Sequence, residues 1–226
     1  MAGKLFIVGT PIGNLQDISF RAIETLKSVD RVVAEDTRMT AKLLARYDIK
    51  KPLFSLHARS TRREFEKVVE MVERGETLAL VTDAGTPGIS DPGAFIVQMV
   101  REKCGEKTIV PIPGPSAVAT ALSASGMVAD EFVFLGFLPH KKGRQKLLDE
   151  VATMKRTVVL YESPHRMKKL LEELLKRAPD RKVVIARELT KMFEQVAAGT
   201  ASELHERFVQ GDISGKGEFV VILGPL

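Results

Sequence analysis

The stretch that most constrains this chain is residues 82–93, TDAGTPGISDPG. It follows ETLALV, an apolar run of the right length for a buried strand. Three glycines, two prolines and two aspartates so close together can neither continue a strand nor start a helix cleanly. The stretch predicts a long, defined loop at the end of a central strand, the edge of an open α/β sheet where ligands bind. Glycine there lets the backbone approach a ligand closely, and proline stiffens the loop in advance. Asp83 and Asp91 can accept hydrogen bonds from a ligand or from the loop's own amides.

Two more loops of this kind follow strand-like runs. GTPIGNL, residues 9–15, comes after the strand expected over 4–8, and PIPGPSAVATAL, residues 111–122, comes after the one expected over 108–112. Pro115 suits the first turn of a helix, whose start leaves the N–H groups of Ser116 and Ala117 for a carboxylate or carbonyl. Between the loops, strands and helices alternate. Asp17 can cap a helix to residue 28 with Ile18, Ala22, Ile23 and Leu26 on one face. Strands are expected over 31–34, 53–56 and 77–81, with helices over 39–47 and 93–102. Thr61 caps a further helix whose Phe65, Val68, Val69 and Val72 recur at helical spacing until Gly75. This alternation argues for a parallel sheet covered on both faces.

After residues 123–126 the pattern changes. A strand over 132–138 runs into the basic loop LPHKKGRQK and a helix. A strand over 157–161 precedes a helix opened by ESPHR and carrying Met167, Leu170, Leu171, Leu174 and Leu175 inward. A strand over 183–186 is followed by RELTK, and strands over 193–198 and 218–223 flank a helix over 202–208. The boundary is placed near residue 120, giving an N-terminal α/β domain, 1–120, that carries the loops and a C-terminal α/β domain, 121–226, with a basic surface.

Composition narrows the function. Hydrophobic residues at 44% and charged residues at 28% are the profile of a globular protein, with no apolar run near the roughly 20 residues that span a bilayer. The N-terminus shows no signal-peptide pattern, and the lone Cys104 excludes an internal disulfide, so a cytoplasmic location is expected and a membrane is not. Residues 140–191 hold 15 Lys and Arg against 7 Asp and Glu, a net +8 where the whole chain carries +5. Such a local excess points to a polyanion such as nucleic acid, or else to a solvated helical surface. Neither GxGxxG nor GxxxxGK[ST] is present, nor HExxH, clustered Cys/His or GxSxG. Dinucleotide, nucleoside triphosphate and metal cofactors are therefore disfavoured. A ligand with an adenosine-like ring and a zwitterionic tail, held by backbone groups, remains.

Charged clusters end three strands. Glu35, Asp36 and Arg38 close one, where Asp36 or Thr37 can simply cap the next helix. Glu162, His165 and Arg166 close another, and Arg187, Glu188 and Lys191 a third, with a first-turn hydrogen bond and a salt-bridged surface turn as their plain readings.

GTPIGNL, AEDTR (34–38), DAGTPGISDPG, PGPSA (113–117), YESPHR (161–166) and ARELTK (186–191) occur in this order. The set resembles the tetrapyrrole methylase fold over nearly the whole chain, and within it the bacterial small-subunit ribosomal RNA cytidine 2′-O-methyltransferases. One departure stands after Ser55, Leu56 and His57, where Ala58, Arg59, Ser60 and Thr61 replace a His/Glu/Asn-rich turn.

The resemblance implies two α/β domains with a cofactor cleft between them, S-adenosyl-L-methionine as cofactor without a metal, and a homodimer. The implied substrate is small-subunit ribosomal RNA within the assembled subunit. Cofactor contacts would fall on Pro11, Asp83, Gly85, Thr86, Gly88, Ile89, Ser116, Ala117 and Tyr161. Methyl transfer from a sulfonium to a ribose hydroxyl needs alignment and benefits from a base, for which Glu35, Glu188 and Lys191 are candidates. RNA contacts are expected from Arg38, Lys141, Lys142, Arg144 and Arg166. A methyltransferase of the same fold acting on a tetrapyrrole or other small molecule, and a non-catalytic RNA-binding assembly protein, are the alternatives. The basic segment argues against the first and the intact glycine-rich loop against the second.

Overall fold

A computed structural model describes residues 2–226. The chain divides into two compact units, one ending at Ser116 and the other running Ala117–Leu226.

The first unit alternates strand and helix. β1 (Leu5–Val8), β2 (Arg31–Ala34), β3 (Leu53–Ser55), β4 (Leu78–Val81) and β5 (Ile109–Ile112) form one sheet in the order β3-β2-β4-β1-β5. Every pairing in it is parallel, as the alternation requires. Helices α1 (Phe20–Ser28), α2 (Thr37–Arg46), α3 (Arg62–Glu73) and α4 (Gly93–Cys104) are the crossovers. β1 and β4 are apolar throughout, β4 being buried at all four residues, because both faces are covered. One apolar cluster joins Leu26, Val32, Leu44 and Ala79, and another joins Leu5, Phe65, Val68, Leu78 and Ile96.

Caps decide where these helices begin. Thr61 and Glu64 form the reciprocal capping box of α3, and Asp36 caps α2 by accepting from the Arg38 N–H at 2.8 Å. Asp17 does not cap α1. It ends a short 3-10 turn, Leu15–Asp17, capped by Asn14, and Ser19 accepts from Ala22 N–H to open α1. The departed turn after β3 closes on itself. Ser60 Oγ accepts from His57 N–H, and His57 Nδ1 accepts from Arg59 N–H.

The second unit begins with α5 (Ala117–Ser125), so the division falls ahead of that helix rather than within it. Its sheet runs β6 (Phe132–Phe137), β7 (Thr157–Glu162), β10 (Phe219–Leu223), β8 (Lys182–Arg187) and β9 (Gln195–Thr200). Only β6 and β7 are parallel; the other pairings are antiparallel. Helices α6 (Arg144–Thr153), α7 (Pro164–Arg177) and α8 (Ala201–Gln210) complete it. Met167, Leu170, Leu171 and Leu174 line the inner face of α7, at i, i+3, i+4 and i+7, against Leu160, Ile185 and Val221. Leu175 is only half-buried.

Candidate active site

β4, β1 and β5 are neighbours in the sheet and run parallel, so their carboxyl ends lie side by side. Each ends in one of the three Gly/Pro loops. Hydrogen bonds tie the loops together. Thr10 and Gly85 exchange backbone bonds at 2.9 and 3.1 Å, an isolated bridge between the first and second loops. The buried Thr10 hydroxyl donates to the Thr82 carbonyl at 3.2 Å, and Thr86 Oγ1 donates to the Pro115 carbonyl at 3.1 Å.

Only glycine permits this assembly at two places. A Cβ on Gly9 would lie 2.7 Å from the Gly114 Cα, so the first and third loops touch backbone to backbone. Gly85 holds φ +84°, and a Cβ there would lie 3.4 Å from Ile12 Cγ2.

The two aspartates of the second loop do different work. Asp91 accepts from the N–H groups of Gly88 and Gly93 at 2.7–2.9 Å and folds the loop onto itself. Asp83 stays exposed, and its Oδ1 accepts from Asp36 N–H at 2.9 Å, linking β4 to β2. Beside it, Thr82 Oγ1 donates to Glu35 Oε2 at 2.8 Å. Glu35 is half-buried and faces a small recess lined also by Thr82, Pro87 and Asp91. Arg38 grips Asp36 with two nitrogens at 2.6 and 3.0 Å and holds its carboxyl down to about 2. Its side chain is nonetheless 86% exposed and open to an anion.

The sequence model of the tetrapyrrole (corrin/porphyrin) methylases matches residues 4–205. The chain belongs to the tetrapyrrole methylases. Proteins named ribosomal RNA small subunit methyltransferase I are similar along almost all of it. The one from Vibrio cholerae is 47% identical over 97% of this chain and 76% of its own length. The one from Thermotoga maritima is 43% identical over 98% of both. A solved methylase structure, uroporphyrin-III C-methyl transferase from Thermus thermophilus complexed with S-adenyl homocysteine, shares the fold at TM-score 0.68. It is 16% identical, over 98% of this chain and 97% of that one.

In this tetrapyrrole methylase the first unit gathers Pro11, Asp83, Gly85, Thr86, Gly88, Ile89 and Ser116 at one sheet edge. Pro11 is buried, while Ile89 is exposed. In the second unit Ala117 opens α5, and the neighbouring Val118 backbone hydrogen-bonds the Tyr161 hydroxyl at the end of β7. Burial pushes that phenol's pKa up and keeps it neutral.

The geometry fits S-adenosylmethionine. A sulfonium favours carbonyl oxygens and an exposed carboxylate, both supplied by the loops around Asp83. Among the described residues no group of three His, Cys, Asp or Glu can hold a metal ion.

The second unit ties three of the expected residues into ion pairs. Arg144, expected on RNA, is 2% exposed. Its guanidinium reaches Glu162 at 3.2 Å and Glu173 at 2.8 Å. Arg166, expected there too, is mostly enclosed, pairing with Glu162 at 2.6 Å and donating to the Leu138 carbonyl at 2.9 Å. Both cations are drawn in by Glu162, which is buried and must be paired. Lys191, expected either as a base or as a charged phosphate holder, donates to Glu188 at 2.9 Å and Glu218 at 2.8 Å. Burial favours its loss of a proton, but the two carboxylates outweigh burial and raise its pKa, so it stays charged. Glu188 is the other half of this clamp. Burial raises its pKa, but the Glu218 backbone and Lys191 lower it overall.

The basic segment 140–191 thus divides by residue type. Arg144, Arg181 and Arg187 are buried, and Arg166 and Arg177 half-buried. Arg181 donates to four backbone carbonyls, those of Val151, Met154, Arg156 and Gly224. The exposed cations are lysines apart from Arg156; Lys141 and Lys142 are among them. The rigid, forked guanidinium suits such internal bonding better than an ammonium. Sequence reading missed this, although glutamates and arginines inside apolar-flanked segments were a signal available in it.

Proposed function

We propose that this methylase places a methyl group on the ribose 2′-oxygen of a cytidine in small-subunit ribosomal RNA, with S-adenosylmethionine as donor. The observation that carries the reading is identity of 43–47% to proteins named ribosomal RNA small subunit methyltransferase I over at least 97% of the chain. The loop assembly at the ends of β4, β1 and β5 supports it with a site that fits the cofactor.

S-adenosylmethionine, when bound, supplies an activated methyl group on a cationic sulfur. Pro11, Asp83, Gly85, Thr86, Gly88, Ile89, Ser116, Ala117 and Tyr161 would be its contacts. The residues' task is then alignment and proton removal. Glu35 takes the proton of the ribose hydroxyl. Its Oε2 accepts from Thr82, which fixes the carboxylate and leaves Oε1 for the hydroxyl. Glu188 is less suited, because its Oε1 already accepts from Lys191 and from Glu218 N–H. Arg38, Lys141 and Lys142 are the exposed cations for RNA phosphates.

The enzyme works as a homodimer in the cytoplasm on the assembled subunit. Among the described residues no helix is long and apolar enough to cross a membrane. Incubation with tritiated S-adenosylmethionine and unmodified small ribosomal subunits, followed by nuclease mapping, tests the reading. Label on the ribose of a single cytidine supports it. Label on added tetrapyrrole, with none on RNA, overturns it.

A further inference from the structure

Three of the chain's 11 phenylalanines, Phe132, Phe134 and Phe137, fall on the six-residue edge strand β6. In a regular strand Phe134 and Phe137 would point to opposite faces, because side chains alternate with period two. They do not. Phe134 pairs with Val159 and Phe137 with Tyr161, with a register shift between Phe134 and Gly136. Leu135 is the extra residue of this bulge, and Gly136 accommodates it at φ +60°. Leu135 turns to the core beside Val158 and Leu160, and Phe137 is brought round to the face of Phe132, Phe134 and Tyr161.

An aromatic cluster results. The Phe134 ring meets Tyr161 edge-on at 4.9 Å, and the Phe137 ring lies tilted on Tyr161 at 5.5 Å. Yet Phe137 is 55% exposed, as the cluster's outer member. The chain then turns directly into His140, Lys141 and Lys142, all exposed. The bulge thus leaves the outermost ring more than half exposed beside exposed lysines.

We propose that Phe137, seated on Tyr161, is a stacking platform for an unstacked base of the RNA substrate, with Lys141 and Lys142 holding the adjoining phosphates. The inference rests on the ribosomal RNA reading above. Sequence-specific RNA recognition takes bases splayed out of single strands and stacks them on aromatic rings. Such a platform holds a base by its π-face, so its contribution does not depend on salt, whereas the lysine contribution does. Phe137 is a substrate-binding residue here, and Phe134 and the Leu135–Gly136 bulge are positioning elements.

The test uses the full chain with Phe137→Ala, Phe137→Tyr and Lys141→Gln/Lys142→Gln. Affinity is measured for single-stranded fragments of small-subunit ribosomal RNA carrying 2-aminopurine, and for S-adenosylmethionine separately by calorimetry. Phe137→Ala should weaken RNA binding roughly 5- to 150-fold, abolish 2-aminopurine quenching and leave the salt dependence unchanged. Phe137→Tyr should restore both affinity and quenching. The lysine variant should flatten the salt dependence and keep the quenching. Unchanged RNA affinity in Phe137→Ala overturns the platform while leaving the substrate reading intact. Loss of cofactor affinity with RNA affinity unchanged would assign the ring to the cofactor instead. A changed oligomeric mass with RNA affinity unchanged would make it a contact between copies. A wild-type protein that binds no ribosomal RNA fragment would overturn platform and substrate reading together.

Discussion

The two units put their charged residues to opposite uses. In the first, Glu35, Asp83 and Arg38 gather at the carboxyl edge of a parallel sheet, partly or fully open to solvent. In the second, Arg144, Glu162, Arg166 and Glu173 turn inward and bind one another. Sheet topology underlies the difference. An all-parallel sheet brings every strand to its end on the same edge, so polar residues there converge without being buried. A mixed sheet sends strand ends to both edges, and charged residues beside β7 end up bridging helices α6 and α7. Like residue types thus stay open at a sheet edge in one unit and bind one another inside the other.

The sharpest way to break this comparison is a matched pair of substitutions. Glu35→Gln should lower the single-turnover rate by about 10²- to 10⁴-fold, the range for a general base, and leave the denaturation midpoint in place. A near-normal rate would remove Glu35 from the chemistry. Arg144→Met should do the reverse, destabilising the protein by about 1–3 kcal/mol because it removes a buried guanidinium, leaving Glu162 with Arg166 alone and Glu173 without its cation. Urea denaturation measures this, and a loss under about 1 kcal/mol would show that the network does not carry cohesion.

Gly85→Val probes the loop assembly. A β-branched side chain at φ +84° is strained by about 1–3 kcal/mol and crowds Ile12. Cofactor affinity should fall roughly tenfold or more, about 1.4 kcal/mol, by calorimetry. Wild-type affinity should be the same with and without EDTA. Unchanged affinity in Gly85→Val, or binding abolished by EDTA, would contradict the site.

Acid should loosen the buried network. Burial raises the Glu173 pKa, but the Arg144 and Gln145 hydrogen bonds outweigh it and hold the carboxyl below its ordinary 4.5. Its contribution to stability is complete above the unfolded-chain value, about 4.3, and is lost as pH falls through the depressed folded value. Helices α6 and α7 should therefore lose amide protection as pH falls through that value, as hydrogen exchange would show. The smallest effect concerns the surface. Lys141→Glu with Lys142→Glu should lower the slope of log RNA affinity against log salt by roughly 0.7–0.9 per lost contact. An unchanged slope would make the loop a solvated surface.

Much of the first unit is legible in the sequence. The expected strand over 31–34 matches β2, and the other strands and helices fall within a few residues of their positions. Asp17 does not cap α1 although Asp is as good a capping type as Asn or Ser. The choice went to Asn14 and Ser19 through a 3-10 turn that has no period to read. The second unit was read as strands and helices but not as a network. Arg144 stands in a run of lysines, and only the pairing of β7 with β6 and the seat of α7 show that it points inward.

The sequence by itself determined the local elements, the parallel alternation of the first unit, the three glycine-rich loops and the family. These depend on periodicity, backbone conformation and short-range chemistry, all written within a few neighbouring residues. Tertiary structure alone decided which loops touch, which arginines are buried, that Lys191 stays charged between two carboxylates, and that a bulge brings Phe137 onto Tyr161. Each of these depends on groups far apart in the chain. Burial, charge and ring contact are set by what the fold brings within a few ångströms, and the residue type carries no record of that.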